Sequence, residues 1–377
     1  MRIEVHHRAA ESESYRAARV RSLFNVDSAD VEIRADLPIE GMDWSLGLIV
    51  GPSGSGKTSL GARIFSSATV YEPAGWPADA AIVEATAPDG DIDAVTGALA
   101  AVGLGTVPAW LRPYRLLSNG ERFRADLARI ICERPAEIVI DEFTSVVDRQ
   151  IARVGALAFG KAWRRTGGRA VLLSCHYDII DWLQPDWIYD TATGRFSGRG
   201  LRRRPAIRLD IHETGWEWWP RFEQHHYLKL PRMIAATCYV GFVEGAPVAH
   251  VAFSTRPGLV EARASRLVIM PEWQGAGIGM RFLNELCGRW RRGLNRHGKP
   301  LPTLFHTTHP GLVSALRRDP LWVQVSSAFW GGDKRRSAAS MRLSGVDSGQ
   351  GYGGHWRAVR GFRYIEGAAE AATSAGG

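Results

Sequence analysis

The sequence predicts an α/β chain of two domains: a parallel-sheet domain over residues 1–194 and an α+β domain over 207–366, joined by a basic linker at 195–206. Three observations lead there. Strand-like apolar runs alternate with helical segments through the first half, the pattern of a parallel sheet with crossover helices. A glycine-rich stretch stands between strand and helix at 51–58, and another at 274–279. Charge is divided unevenly: residues 1–200 carry 22 basic and 26 acidic side chains, whereas 201–377 carry 25 and 13.

In chain order, residues 9–24 read as a short helix with Ala17, Val20, Leu23 and Phe24 on one side. Residues 31–33 alternate like a strand, and 47–50 form a buried strand ending at Gly51. Strand-like runs follow at 80–83, 137–140 and 170–173, separated by helical segments at 91–103, 120–133 and 149–165. The pattern breaks at 195–208, where Gly198, Gly200 and Pro205 lie among Arg195, Arg199, Arg202, Arg203, Arg204 and Arg208. This is either a solvated linker or a strip that faces nucleic acid. Beyond it come strand-like runs at 237–243, 247–254 and 265–270, a helix at 277–290 and a strand near 303–306. Residues 367–377 are rich in Ala, Gly and Ser, as in a disordered tail.

Composition narrows the classes. With 377 residues, 45% hydrophobic and 23% charged, the chain is neither wholly disordered nor a coiled-coil rod. No apolar run reaches the roughly 18 residues of a membrane helix, and the N-terminus has no signal core, so a cytoplasmic protein without a membrane partner is expected. Cys132, Cys175, Cys238 and Cys287 are far apart, which gives neither a disulfide framework nor a zinc site. Buried free thiols are expected.

Gly51-Pro52-Ser53-Gly54-Ser55-Gly56-Lys57-Thr58 fits the phosphate-loop pattern, with Ser59 next in the helix. Glycines let backbone N–H groups turn inward around phosphate oxygens, Lys57 neutralises the terminal phosphates, and Thr58 is placed to hold Mg²⁺. Residues 138–140 then form a β-branched strand that delivers Asp141 to the metal and Glu142 to the attacking water. Leu117-Ser118-Asn119-Gly120-Glu121 opens a helix, Asp148 follows Ser145-Val146-Val147, and Leu172-Leu173-Ser174-Cys175 leads to His176.

Together these residues resemble the ATP-binding cassette (ABC) ATPases, over about residues 10–192. The resemblance implies ATP as substrate, and Ser118 and Gly120 in a signature that closes on ATP held by a partner protomer. It also implies a head-to-tail homodimer and His176 as the switch residue sensing the γ-phosphate. Asn119 stands where the family has Gly and Glu121 where it has Gln; Asn tolerates left-handed backbone, so the loop shape is expected to survive. No glutamine lies between Lys57 and Ser118, leaving Glu84 as the candidate replacement for the family's Gln loop. A transporter role is disfavoured.

In the basic half, residues 264–283 read strand, Pro271, glycine-rich turn, helix. This resembles the pyrophosphate turn of the GNAT acyltransferases, over about residues 207–366. The resemblance implies that Gln274, Gly275, Ala276, Gly277, Ile278 and Gly279 hold the pyrophosphate of acetyl-CoA or another acyl-CoA. Leu267, Val268 and Ile269 would offer main chain to its pantetheine arm. The whole is then an N-terminal P-loop ABC-type ATPase domain followed by a C-terminal α+β GNAT-like acyltransferase domain.

Acyl transfer needs a base and an acid. His226 and Tyr227 lead the candidates, beside His225, His306, His309 and Glu261. Trp216, Trp218, Trp219 and Phe222 before them form either a site mouth or core. The segment 225–227, the turn and the stretch 353–364 resemble Mom-type enzymes that modify DNA adenine. An excess of 12 positive charges in residues 201–377 favours a nucleic acid substrate. The alternatives are a protein or small-molecule N-acetyltransferase with a regulatory ATPase, or an ATP-gated DNA clamp.

Overall fold

The computed structural model describes residues 1–7, 14–24, 31–65, 70–71, 75–198, 205–228, 232–233, 235–330 and 357–365. They form a mixed α/β chain divided into two compact units, residues 1–75 with 133–205, and 76–132 with 206–377. The segment expected to complete the first half, 76–132, thus packs with the second. No helix among the described residues is long and apolar enough to cross a membrane.

The first unit contains β1 (Arg2–His7), β2 (Val31–Asp36), β3 (Leu46–Val50), β4 (Glu137–Ile140), β5 (Arg169–Ser174), β6 (Trp187–Asp190) and β7 (Arg195–Gly198). β1 and β2 form an antiparallel pair, and the remaining five make one sheet in the order β4-β5-β3-β6-β7. β3 is buried along its whole length, as its unbroken apolar run requires. It pairs in parallel with β5 and β6, and β5 with β4. The helix Arg149–Trp163 starts at Asp148, whose carboxylate accepts from the Ile151 amide at 2.9 Å.

A core of Leu37, Trp44, Ile49, Leu60, Phe65, Val139, Leu173 and Trp187 fills the space against β1 and β2. Trp187 lies flat over Gly47, where an added Cβ would fall 2.1 Å from the indole.

The second unit contains β8 (Asp210–Thr214), β9 (Thr237–Val243), β10 (Ala246–Thr255), β11 (Ala262–Ile269), β12 (Thr303–Thr307), β13 (Trp322–Trp330) and β14 (Arg357–Tyr364). They form one sheet ordered β13-β14-β12-β11-β10-β9-β8, antiparallel except for β11 with β12. The helix Ile278–Arg291 buries Phe282, Leu283, Leu286 and Trp290, and Trp290 stacks on Phe253 of β10 at 5.1 Å.

Several expectations need correction. Residues 80–83 are not a strand: only Ala81 bridges, to Pro113, and Ile82–Ala85 is a helical turn burying its two ends. Ala and Glu favour helix in so short a run, and the Thr86 hydroxyl closes the turn on the Ile82 carbonyl at 2.6 Å. Arg195–Gly198, expected to open the linker, is β7, held antiparallel to β6. The linker's Arg199, Gly200, Arg202, Arg203 and Arg204 lie outside the described residues, as do the tail 367–377 and residues 353–356. Val20 and Leu23 of the helix Tyr15–Phe24 are exposed rather than packed. Cys238 and Cys287 are buried, whereas Cys175 is exposed and Cys132 is half-buried.

Because the indole occupies the place of a side chain at Gly47, Gly47→Ala is expected to cost about 1–3 kcal/mol by overpacking. Thermal unfolding reads this as a lowered Tm; an unchanged Tm would show that Trp187 moves freely.

Candidate functional site: two glycine-rich anion cradles

The first cradle grows from the parallel register. Val50 of β3 stands level with Ser174 of β5 and Asp190 of β6, so three strands end at one edge of the sheet. The Gly51 amide donates to the Ser174 carbonyl at 3.2 Å, and the Thr191 amide to the Val50 carbonyl at 2.9 Å. Open α/β sheets bind ligands at such carboxyl ends. The loop from Gly51 to Gly56 leaves this edge. Gly56 has φ 82° and lies under Ile33 of β2, which an added Cβ would strike at 2.3 Å. Ser53 and Gly54 form the loop's turn, and the Ser55 hydroxyl pairs with Thr191 Oγ1 at 2.6 Å.

The Lys57 and Thr58 side chains already have partners. Lys57 Nζ donates to the carbonyls of Gly51 at 2.9 Å and Pro52 at 2.6 Å. Thr58 Oγ1 donates to Asp141 Oδ2 at 2.6 Å. Hydroxyl and carboxylate thus converge, a hard-oxygen pair of the kind that holds Mg²⁺ together with substrate phosphates. Ser59, one residue on, meets His7 Nε2 of β1 at 2.8 Å. The helix that follows the loop is only Lys57–Gly61, a little over one turn.

Asp141 follows β4 and Glu142 takes left-handed backbone, φ 48°. Such a conformation costs a non-glycine residue of order 1–3 kcal/mol and is held here by its neighbours. The Glu142 amide donates to Asp141 Oδ1 at 2.7 Å, and the Ser145 hydroxyl to the Glu142 carbonyl at 2.6 Å. The turn leaves the Glu142 carboxylate exposed.

His176 follows β5, half-buried, its amide donating to Ser174 Oγ at 3.1 Å. Burial and then the Arg149 charge lower its pKa, with Asp178 opposing. Asp178 is itself held by Arg149 and by Arg153, the latter at 3.0 Å.

In the other unit, Ser118 and Glu121 explain one sequence departure. Ser118 donates its amide and hydroxyl to the Glu121 carboxylate at 2.9 and 3.0 Å, and the Glu121 amide returns to Ser118 Oγ at 3.3 Å. This is a capping box on the helix Asn119–Glu133. Asn119 opens that helix without left-handed backbone, and Gly120 is buried within it. Glu84 is exposed on the short turn Ile82–Ala85.

The second cradle lies where two strands part. β11 pairs with β12 only over Ala262, Ala264 and the residue between them. Leu267, Val268 and Ile269 have left β12, and β11 is kinked by an irregular register with β10 and by left-handed Arg266, φ 57°. After Pro271–Trp273 the chain turns through Gly275 (φ 92°) and Gly277 (φ 85°) into the 14-residue helix Ile278–Arg291. Gly277 is its exposed N-cap, Ala276 and Ile278 are buried, and Gly279 lies against Ile269. The first amides of a helix have no intrahelical acceptor, and such an N-terminus is the kind of place where anions bind. Gln274 does otherwise. Its side-chain Nε2 donates to the Ile269 carbonyl at 2.9 Å and its Oε1 accepts from the Gly105 amide at 2.8 Å.

Trp219 and Phe222 turn out to be core. His226 is buried, its Nδ1 2.7 Å from the Leu228 carbonyl, and its ring stacks on Tyr227 at 5.0 Å. His225 precedes them, half-buried. His306, half-buried on β12, lies just past the point where β11 departs; burial lowers its pKa, then Arg263. Glu261 holds Arg256 and Arg263, each at 2.9 Å. His309 is committed to structure, since both ring nitrogens meet main chain, Gly105 at 3.0 Å and Leu312 at 3.4 Å.

One histidine escaped the sequence reading. His250 of β10 is fully buried among Trp216, Trp219 and Phe222, its Nδ1 donating to the carbonyl of kinked Arg266 at 3.2 Å. Its Nε2 has no hydrogen-bond partner among the described residues. The only signal was a histidine interrupting the apolar run 247–253.

No family model matches the chain. The cytochrome c biogenesis ATP-binding export protein CcmA of Rhodospirillum rubrum is 36% identical over 88 residues, 23% of this chain. The chain spans about a third of that relative's length, 35%. Similar solved structures include the dimer of a bacterial ABC transporter cassette (TM-score 0.36, 14% identity, 47% of this chain and 95% of that one). A putative cobalt transport ATP-binding protein gives 0.34, 17%, 50% and 79%. Scores this low carry no inference.

Burial takes the His250 pKa down to about 4, with the Arg266 carbonyl opposing and His226 adding to the fall. The unfolded chain binds this proton near pH 6.5. Stability from a neutral buried His250 is therefore complete above about pH 6.5 and lost as pH falls towards 4, on the order of 3 kcal/mol in all. Urea unfolding at pH 7.5 and 5 should show this loss in the native protein and a smaller one in His250→Asn; equal slopes would remove His250 as its source.

Proposed function

We propose that the chain is an ABC-type ATPase coupled to a GNAT-like, acyl-CoA-dependent N-acyltransferase that modifies a nucleic acid base. The observation that carries the nucleotide half is the parallel register of β3, β4 and β5. It sets Gly51–Thr58 among Asp141, Glu142 and His176 at one sheet edge. The CcmA likeness over 88 residues supports the same reading.

On this reading Lys57 exchanges the Gly51 and Pro52 carbonyls for the terminal phosphate oxygens of ATP. Thr58 and Asp141 would hold Mg²⁺, which would supply positive charge beside those oxygens. Glu142 accepts a proton from the attacking water, and His176, kept neutral, reads the terminal phosphate. Ser118 and Gly120 meet ATP held by the partner in a head-to-tail homodimer, for which Ser118 must loosen its bond to Glu121.

The acyl half is supported by the parting of β11 from β12 beside a glycine turn at a long helix N-terminus. Gly275, Ala276, Gly277, Ile278 and Gly279 would hold the pyrophosphate of acetyl-CoA or another acyl-CoA, which supplies an activated thioester. Leu267, Val268 and Ile269 keep main chain free of β12 for the pantetheine amides. An acceptor amine then needs a base, and the leaving thiolate an acid. His226 and Tyr227 are assigned these roles. The net +12 charge of residues 201–377 favours a phosphate-rich acceptor.

Two experiments test the halves. Glu142→Gln should lower ATP hydrolysis at least about 100-fold while nucleotide still binds, and Lys57→Ala should lose binding itself; unimpaired turnover in both would refute the assignment. Nucleosides from DNA and RNA of cells expressing wild type or Gly277→Asp should differ by one acylated species, read by mass spectrometry. Asp enters left-handed backbone more readily than most side chains and its charge repels the pyrophosphate; circular dichroism checks that the variant is folded. Identical nucleosides would favour a protein or small-molecule acetyltransferase, or an ATP-gated DNA clamp.

A further inference from the structure

The segment carrying Ser118 and Gly120 is built into the same compact unit as the glycine turn. The join is the loop 103–106. Gly103 (φ 88°) lies so close to the turn that an added Cβ would sit 2.3 Å from the Gln274 carbonyl oxygen. The Gly105 amide donates to Gln274 Oε1 at 2.8 Å, and its carbonyl accepts from His309 Nε2 at 3.0 Å. His309 Nδ1 accepts from the Leu312 amide, which fixes the proton on Nε2. Beside the loop, the helix Ile92–Ala101 packs on Pro310–Arg318, and Gly311 admits Ala100 with no room for a Cβ.

The contacts continue from the loop to the signature. Trp110 donates its indole N–H to the Leu104 carbonyl at 2.6 Å. Four residues on, Tyr114 donates to Asp126 of the signature helix at 2.8 Å. Trp76 stacks on Tyr114 at 4.8 Å and shares Asp126, and the Arg129 guanidinium lies 3.8 Å over Trp76. The signature helix is thus tied through Tyr114 and the short stretch of chain 110–114 to loop 103–106, whose partner Gln274 in turn holds the Ile269 carbonyl at the parted end of β11.

We infer that the Gly105–Gln274–His309 junction is an allosteric latch through which nucleotide bound at the signature changes the capacity of the 274–279 turn to hold its anionic cofactor. This rests on the nucleotide and acyl-CoA readings above. Coupling is reciprocal, so an occupied turn equally favours nucleotide-bound dimers, and factors of about 5–150 in affinity are usual for such links.

Hydrogen–deuterium exchange on the full chain tests the latch without an acyl acceptor. A non-hydrolysable ATP analogue with Mg²⁺ should protect amides of the 51–58 loop and change exchange at 103–106 and 275–279 at least about threefold. His309→Asn keeps a side-chain acceptor for the Leu312 amide but is too short to reach Gly105. It should protect 51–58 as before while the change at 275–279 falls below half. Gly105→Ala, whose Cβ would meet Gln274 Oε1 at 2.9 Å, should act alike. Protection at 51–58 with no change at 275–279 in wild type would overturn the latch, as would a full change in both variants. Loss of the 51–58 protection itself would overturn it together with the nucleotide reading. Coenzyme A is the separate arm: no protection of 275–279 by it removes the acyl-CoA reading, whereas the nucleotide arm alone decides the coupling.

Discussion

Parallel pairing across β4, β5, β3 and β6 is the constraint on which the first unit depends. Parallel strands all run the same way, so their carboxyl ends gather on one edge whatever the intervening chain does. That edge receives the phosphate loop from β3, the carboxylates from β4 and the histidine from β5. None of these side chains needs a partner in sequence to find its place. The unbroken burial of β3 fixes it at the centre, and Trp187 over Gly47 locks β6 beside it.

The two glycine-rich turns are built by different means. At 51–58 the helix is a single turn, and Lys57 rests on two carbonyls of the loop. At 274–279 no lysine takes part, and the long helix Ile278–Arg291 supplies unpaired amides instead. On the proposed reading Lys57 gives up these two carbonyls to reach a phosphate, whereas the second turn depends on the residues packed behind it.

Much of this was legible in the sequence because the signals were local. The phosphate loop, Asp141, Glu142 and the strands 137–140 and 170–173 each announce themselves within a few residues. What escaped were elements whose stability comes from distant neighbours. β1, β6, β7, β13 and β14 are short or polar and become strands through pairing. His250 and Gln274 read as ordinary residues until β10, β11 and loop 103–106 are brought together. Glu121 looked like a departure from the signature and is instead half of a cap, a role that its spacing from Ser118 permits but does not announce. Residues 76–132 followed the phosphate loop in order, yet their apolar surface finds its complement in the other unit.

That last feature bears on how the chain is made. Gly105 meets Gln274 across 169 residues and His309 across 204. A ribosome adding about 5–20 residues per second emits Gly105 roughly 10–40 s before the histidine that closes on it. Through that interval the segment 91–110 has left the ribosome without the partners that bury it. The first unit is equally interrupted, since its sheet brackets this segment. Each unit is built from two stretches of chain, so a cut near residue 205 would part 76–132 from the rest of its unit, and the nascent protein holds an unfinished surface until the final third arrives.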